Sequence, residues 1–207
     1  MSADGSSLPD ETELDRLLKV ILESAVDAVG FDAATITARR NHSLSTIATT
    51  DQQLVALDDA QYASGEGPCL SVLDPHEPIL LEDVSEADAW EGFRAAAERH
   101  GVVTSLSVHI PSELDGVASS LNFYGRRRIG LGEQNLHAAQ GYAAQLAVAM
   151  KAAESYRATT ELASGLAEAM QSRAVIEQAK GILIADHGYT AEEAFERLRQ
   201  VSQSSNV

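Results

Sequence analysis

Two stretches of this sequence carry residues whose types and spacing can do chemistry. In the first, Arg173 and Lys180 stand seven residues apart in a helical pattern. Two helical turns bring them within about 20° of each other, away from the apolar stripe, where they can straddle a phosphate. Glu177 lies between them, so an ordinary solvated face is the alternative. Ala174 and Gly181 make a smooth side of the same helix, suited to close approach of a base or backbone, or to helix packing. In the second stretch Cys69 ends the run Ser-Gly-Glu-Gly-Pro-Cys at a helix start, where a thiol of lowered pKa can respond to oxidants or electrophiles. A lone cysteine serves equally as a small buried apolar residue. Tyr62, Asp83, Trp90 and Ser107 complete a set that can line a pocket between a sheet face and the middle loops. The alternatives are a core plug for Trp90 and a strand-end cap for Asp83.

The elements that must position the first set are two helices. Val175, Ile176, Ala179, Ile182 and Leu183 fall at three- and four-residue spacing, which predicts an amphipathic helix over Arg173 to Asp186. Gly188 ends it, and Thr190 with Glu193 forms the T-x-x-E capping box that starts another near Ala191. Ala194, Phe195, Leu198 and Val201 give that second helix its stripe, so each helix needs the other to bury apolar surface. The order R-x-V-I-x-Q-A-K-G-I-L, a Gly-bearing turn, then A-x-x-x-F-x-x-L-R and a Ser/Gln/Asn-rich end resembles the start of the ANTAR family. That resemblance implies RNA binding in transcription antitermination, with contacts at Arg173, Ala174, Gln178, Lys180, Gly181, Arg199 and Asn206. Family members continue through a further helix past the position of Asn206, so residues 171–207 are expected to be an incomplete module.

The second set sits in a region of mixed elements. Residues 1–10 are Ser/Gly/Asp-rich and expected to be a disordered tail. Leu14, Leu17, Leu18, Ile21, Leu22, Ala25 and Val29 predict a long helix ending at Gly30. Ala33 to Arg40 and Leu44 to Thr50 flank the turn Asn41-His42-Ser43 as a hairpin. A helix over Asp51 to Tyr62, a short helix after Pro68, a strand over Pro78 to Val84 and a helix over Ala89 to His100 follow. Val102 to Pro111 and Val117 to Tyr124 make a second hairpin. This order predicts an α+β domain over residues 11–149 with a central, mostly antiparallel sheet flanked by helices. With Gly65-Glu66-Gly67-Pro68-Cys69 in the middle loop, W-x-x-F in a helix, and S-L-S-V-x-I-P and S-L-N-F-Y-G in the late strands, it resembles a GAF domain. GAF domains are mostly small-molecule sensors or dimerisation modules, and the wording around Cys69 is similar to those that actinobacterial proteins place ahead of an ANTAR module.

Between the two regions Leu136, Ala139, Ala143, Leu146, Met150 and Ala153 form a heptad seam, and the apolar register resumes shifted at Leu162, Leu166 and Ala169. The seam predicts a helical, coiled-coil connector over residues 133–170, pairing two copies of the chain, with a joint at the shift. Packing of the seam on the sheet of its own subunit is the alternative.

Composition bounds the rest. The 207 residues are 44% apolar, with a formal charge of −16, and residues 1–150 hold 9 basic against 23 acidic residues. Residues 151–207 hold 6 against 8, so an RNA site there must rest on local placement and on dimerisation to double it. The run Arg126-Arg127-Arg128 reads as a solvated turn, with an acidic partner as the other possibility. One cysteine and six scattered histidines exclude a disulfide framework and offer no close metal-ligand pair, so no catalytic or metal residue is assigned and the cofactor is left unknown. With no membrane span and no signal peptide in the first residues, the expectation is a cytoplasmic regulator, not an enzyme. Its sensor would control an RNA-binding output and act as a homodimer on structured RNA hairpins, with an unidentified small molecule as possible input. A GAF dimerisation or protein-interaction module that never touches RNA is the alternative.

Overall fold

The computed structural model describes residues 13–74, 76–111 and 116–205. The expected tail, the turn residues 112–115 and Asn206 lie outside the described residues. Packing divides the chain into two compact units, residues 1–153 and 154–207.

The first unit is an antiparallel sheet with helices on both faces. Helix α1 (Glu13–Val29) places Leu18, Leu22, Ala25 and Val29 on one buried stripe and stops at Gly30, whose φ of 83° suits glycine alone. Strands β1 (Ala33–Arg40) and β2 (Ser43–Thr49) form the expected hairpin. Its turn holds Asn41 at φ 47° and His42 at φ 71°, the left-handed pair that matches strand twist; asparagine tolerates this better than histidine. A 3₁₀ turn at Gln52–Leu54 leads into α2 (Val55–Ser64), then α3 (Pro68–Ser71) and the short β3 (Ile79–Leu81). Helix α4 (Glu91–Arg99) and strands β4 (Thr104–Ile110) and β5 (Val117–Gly125) complete the unit, together with the start of α5 (Glu133–His187). Sheet order is β2-β1-β5-β4-β3, every pair antiparallel.

Strand alternation gives the sheet two different faces. Ala34, Ile36, Leu106, Val108, Ile110, Leu121 and Phe123 form one core with α1 and with Ala139, Ala143 and Leu146 of α5. At roughly 1.5–3 kcal/mol for each large apolar side chain fully buried, this layer supplies most of the unit's driving force. The opposite face meets α2 and α4, with Leu54, Leu57, Phe93, Ala96 and Ala97 at one end.

That packing corrects the reading of the seam. Ala139, Ala143 and Leu146 are buried against the sheet of their own chain, so the first part of the seam is already covered. Helix α5 runs for 55 residues, its backbone continuous through the register shift beside which the two compact units meet in sequence. No proline interrupts it, and Arg157 ties Glu154 and Glu161 one turn away on either side, each at 2.6 Å. A shift of apolar register moves the apolar side around the helix without breaking its backbone.

The second unit is the rest of α5 and α6 (Ala191–Ser205). Gly188 turns at φ 70°. The expected capping box is formed, Glu193 N–H donating to Thr190 Oγ1 at 3.2 Å and Thr190 N–H to Glu193 Oε2 at 2.8 Å.

Candidate functional site

Under α2 and α3 the sheet turns a polar face inward. Thr35 and Thr37 of β1, Ser105 and Ser107 of β4, and Ser120 and Asn122 of β5 are all buried, together with Asp58 and Gln61 of α2. Tyr124 donates to Asp58 Oδ1 at 2.6 Å and Thr46 to Oδ2 at 2.8 Å. Tyr62 Oη lies 3.0 Å from Thr46 Oγ1 and donates to Thr37 Oγ1 at 3.0 Å, and Asn122 Nδ2 donates to the same Thr37 oxygen at 3.0 Å. Ser105 Oγ and Asn122 Oδ1 are buried without a protein partner. Burial pushes the Asp58 carboxyl up to about 6, against the pull of the Tyr124, Thr35 and Thr46 hydroxyls. Burial, and then the Asp58 charge, raise the Tyr62 hydroxyl and the Cys69 thiol as well.

The loop that suggested chemistry is clamped to this face. Gln61 Oε1 accepts from Cys69 N–H at 2.9 Å, and Ser120 Oγ donates to Cys69 C=O at 2.9 Å. Gly67, at φ 152°, passes so close that a Cβ there would fall 2.2 Å from Gln61 Oε1. Of the five predicted pocket residues, Tyr62, Cys69 and Ser107 come together on this polar face. The thiol of Cys69 is fully buried and held protonated, so it behaves as the small core residue and not as an exposed nucleophile. Asp83 and Trp90 are elsewhere. Asp83 caps the 3₁₀ turn Val84–Glu86 through Ser85 N–H at 2.9 Å, and Arg128 pairs with it. Trp90 stands at the start of α4 with φ 62°, half-buried against the apolar end of the α2 and α4 layer. The basic run nearby is likewise engaged internally, Arg126 pairing with Asp51 at 3.1 Å and Arg128 with Asp83 and Glu86.

In the second unit Arg173, Ala174, Gln178 and Gly181 are exposed on α5. Lys180 does not fit the alternative of an ordinary solvated face: its side chain is 17% exposed, with Nζ held by Glu177 at 2.9 Å. Arg199 pairs with Glu196 at 2.9 Å. Arg199 also borders an apolar cleft of about 870 Å³ between the helices, lined by Val175, Ile176, Ala179, Phe195, Leu198 and Val201. Four of the six expected contacts that can be placed are thus exposed on α5, the fifth, Lys180, is mostly covered there, and Arg199 stands on α6 at the cleft.

With this geometry in place, comparison with known proteins defines the class. A GAF domain family model matches residues 11–151 and an ANTAR domain model matches residues 164–207. The chain belongs to the GAF domain family, here followed by an ANTAR domain. The domain of a two-component sensor histidine kinase from Sinorhizobium meliloti 1021 is 17% identical, with 72% of this chain and 98% of that one covered at a TM-score of 0.57. A GAF domain from Synechocystis sp. PCC6803, in its photoproduct state, is 17% identical over 71% and 99% of the two chains, also at 0.57. The GAF domain of a phosphoenolpyruvate-protein phosphotransferase from Coxiella burnetii is 19% identical over 73% and 89%, at 0.55. At these identities the likeness is one of fold. No curated protein matches. Among the described residues no helix is long and apolar enough to cross a membrane, and no group of three or more His, Cys, Asp or Glu could hold a metal ion.

The residues that sequence reasoning missed are Asp58, Gln61, Asn122 and the paired hydroxyls. Their signal was alternation: T-x-T in β1, S-x-S in β4 and S-x-N-x-Y in β5 put a polar residue at every second position of strands covered by helices on both sides. Asp58, beside Asp59 on a helix, carries no such mark.

Proposed function

We propose that this chain is a cytoplasmic, signal-responsive regulator of transcription antitermination in which the GAF unit controls RNA binding by the ANTAR helix pair. The observation that carries this is the succession of a GAF match and an ANTAR match along one chain, with α5 beginning in the first and ending in the second. The input is a small molecule taken up on the polar sheet face near Tyr62, Cys69 and Ser107. The output face is Arg173, Ala174, Gln178, Lys180 and Gly181, joined by Arg199. Two chains pair through the exposed apolar residues Tyr156, Leu162, Leu166 and Met170, so that two modules grip a structured RNA hairpin. Input shifts the population of paired arrangements and thereby RNA affinity.

The test is RNA-hairpin binding by the intact chain and by R173A/K180A, followed by fluorescence anisotropy across a salt series. The double substitution is expected to lower affinity tenfold or more and to flatten the salt dependence by about two phosphate contacts, with the dimer unchanged by light scattering. Equal affinity and slope in the two proteins would remove these residues from the interface. Absence of RNA binding by the intact chain would favour a GAF module that recruits a protein partner.

A further inference from the structure

A second cleft of the first unit lies on the outer side of α4. It holds about 650 Å³ between that helix, the 3₁₀ turn Val84–Glu86 and residues 101–103 ahead of β4. Glu91, Arg94 and Glu98 line it from α4, at the i, i+3 and i+7 spacing that keeps three side chains on one helix face. Phe93, Ala96 and Ala97, on the other side of α4, are buried in the core and separate the cleft from the polar face of the sheet. The floor is apolar, with Val84 and Val102 both buried. At one end stands Asp83, whose carboxylate is already engaged by Ser85 and Arg128.

Arg94 is the exception among these groups. It is half-buried, between its ordinary helix partners Glu91, one turn before, and Glu98, one turn after. Among the described residues neither carboxylate pairs with it, and its Nε is buried without a hydrogen-bond partner. An enclosed N–H of a charged group is costly to leave without an acceptor. Nε and one neighbouring Nη form a side-on fork that a carboxylate fits with two parallel hydrogen bonds. Glu91 and Glu98 are exposed, and among the described residues no cation pairs with either. No other Lys, Arg or His lines the cleft among those residues. The cleft therefore offers one guanidinium and two carboxylates over an apolar floor. Its chemical complement has one carboxylate and two cationic groups on an aliphatic stem.

We propose that this cleft takes a basic α-amino acid, its carboxylate on Arg94, its two cationic groups facing Glu91 and Glu98, and its methylenes over Val84 and Val102. The fork on Arg94 is the anchor, because it is partly enclosed. The two exposed carboxylates, screened by water, add selectivity for a second positive charge and less affinity. This site belongs to the first unit and stands whether or not the chain binds RNA or takes a ligand on the polar face of its sheet.

The experiment titrates the intact chain with L-lysine, with cadaverine, which is lysine without the carboxylate, and with norleucine, which lacks the side-chain ammonium. Amide shifts locate the binding, and the fluorescence of Trp90, the sole tryptophan, reports it from the start of α4. The expected result is saturable binding of lysine at or below about 1 mM, with shifts at residues 84–85, 91–98 and 101–103 and none at Thr37 or Asn122. Cadaverine on the wild type, and lysine on Arg94→Met, should each bind roughly tenfold more weakly or worse. Norleucine on the wild type, and lysine on E91Q/E98Q, should each lose about threefold, and norleucine on E91Q/E98Q should lose little more, since both changes remove the same pairing. Thermal unfolding checks the fold of each variant. If Arg94→Met does not fold, cadaverine and E91Q/E98Q decide the matter. The proposal is overturned by lysine failing to saturate up to about 10 mM, by shifts centred on Thr37 and Asn122, by cadaverine or Arg94→Met matching lysine on the wild type, or by undiminished lysine affinity in E91Q/E98Q.

Discussion

The two units of this chain bury opposite things. The first buries eight polar residues at 0–1% exposure, six on one inner face of its sheet and two, Asp58 and Gln61, on the helix α2 that covers it. The second buries almost nothing: Ala194 is its one fully covered hydrophobe among the described residues, while Tyr156, Leu162, Leu166, Met170, Val175 and Ile182 are 59–77% exposed. A polar interior is tolerated because the opposite face of the sheet packs a continuous apolar core and because most of the buried hydroxyls and the Asp58 carboxyl find partners at hydrogen-bond distance. An apolar exterior on a two-helix unit has no such compensation and calls for a partner. The contrast fits the division of tasks proposed above, with the closed, polar-cored unit as the receiver of a signal and the open unit as the one that makes contacts.

The largest effect that sharpens this contrast belongs to the open unit. Each leucine buried on association is worth roughly 1.5–3 kcal/mol, so Leu162→Asp with Leu166→Asp should weaken dimerisation at least 100-fold in sedimentation equilibrium. An unchanged dimer would place the pairing surface elsewhere. In the closed unit Phe123→Ala, at a fully buried position between α1 and α5, should cost about 3–5 kcal/mol in denaturant unfolding; a loss under 1 kcal/mol would mean that the packed face does not carry the fold. Gly67→Ala combines an unfavourable φ of 152° with a contact at 2.2 Å on Gln61. A loss of about 1–3 kcal/mol is expected, together with exposure of Cys69 to thiol reagents in the native state; slow labelling equal to wild type would show that Gln61 does not clamp the loop. The smallest effect is at the helix turn. Thr190→Ala removes one cap and should lower helicity and stability of the output pair by about 1 kcal/mol, leaving the unfolding of the sheet unit unchanged.

Much of this was legible in the sequence where local rules decide. Periodicity placed α1, β1, β5 and α6 within a few residues and the end of α5 at His187, though α5 starts at Glu133 and not at Arg173, and the Thr190–Glu193 box formed as written because a capping box needs only four neighbouring residues. The seam was harder. Leu136 to Met150 has the spacing of a coiled coil, but an apolar stripe does not state what covers it, and the sheet of the same chain does so first. The register shift between Ala153 and Leu162 falls next to the division of the chain into its two compact units at residue 154, although the helix backbone continues through it. Of the residues named for a pocket, Tyr62, Cys69 and Ser107 lie on one buried face, while Asp83 caps a turn and Trp90 stands at a core edge. Asp58 escaped notice because its burial is set by strands far away in sequence; Tyr124 lies 66 residues off.

The central claim is that the helix pair of this chain holds RNA under the control of the sensor unit. The most direct measurement is the affinity of the intact chain for a structured RNA hairpin and for its unpaired permutation, each followed from low to high salt. The account predicts preference for the hairpin, with log affinity falling linearly in log salt at a slope set by the phosphates that Arg173, Lys180 and their dimer mates neutralise. Equal, feeble binding of both RNAs with no defined slope would contradict it.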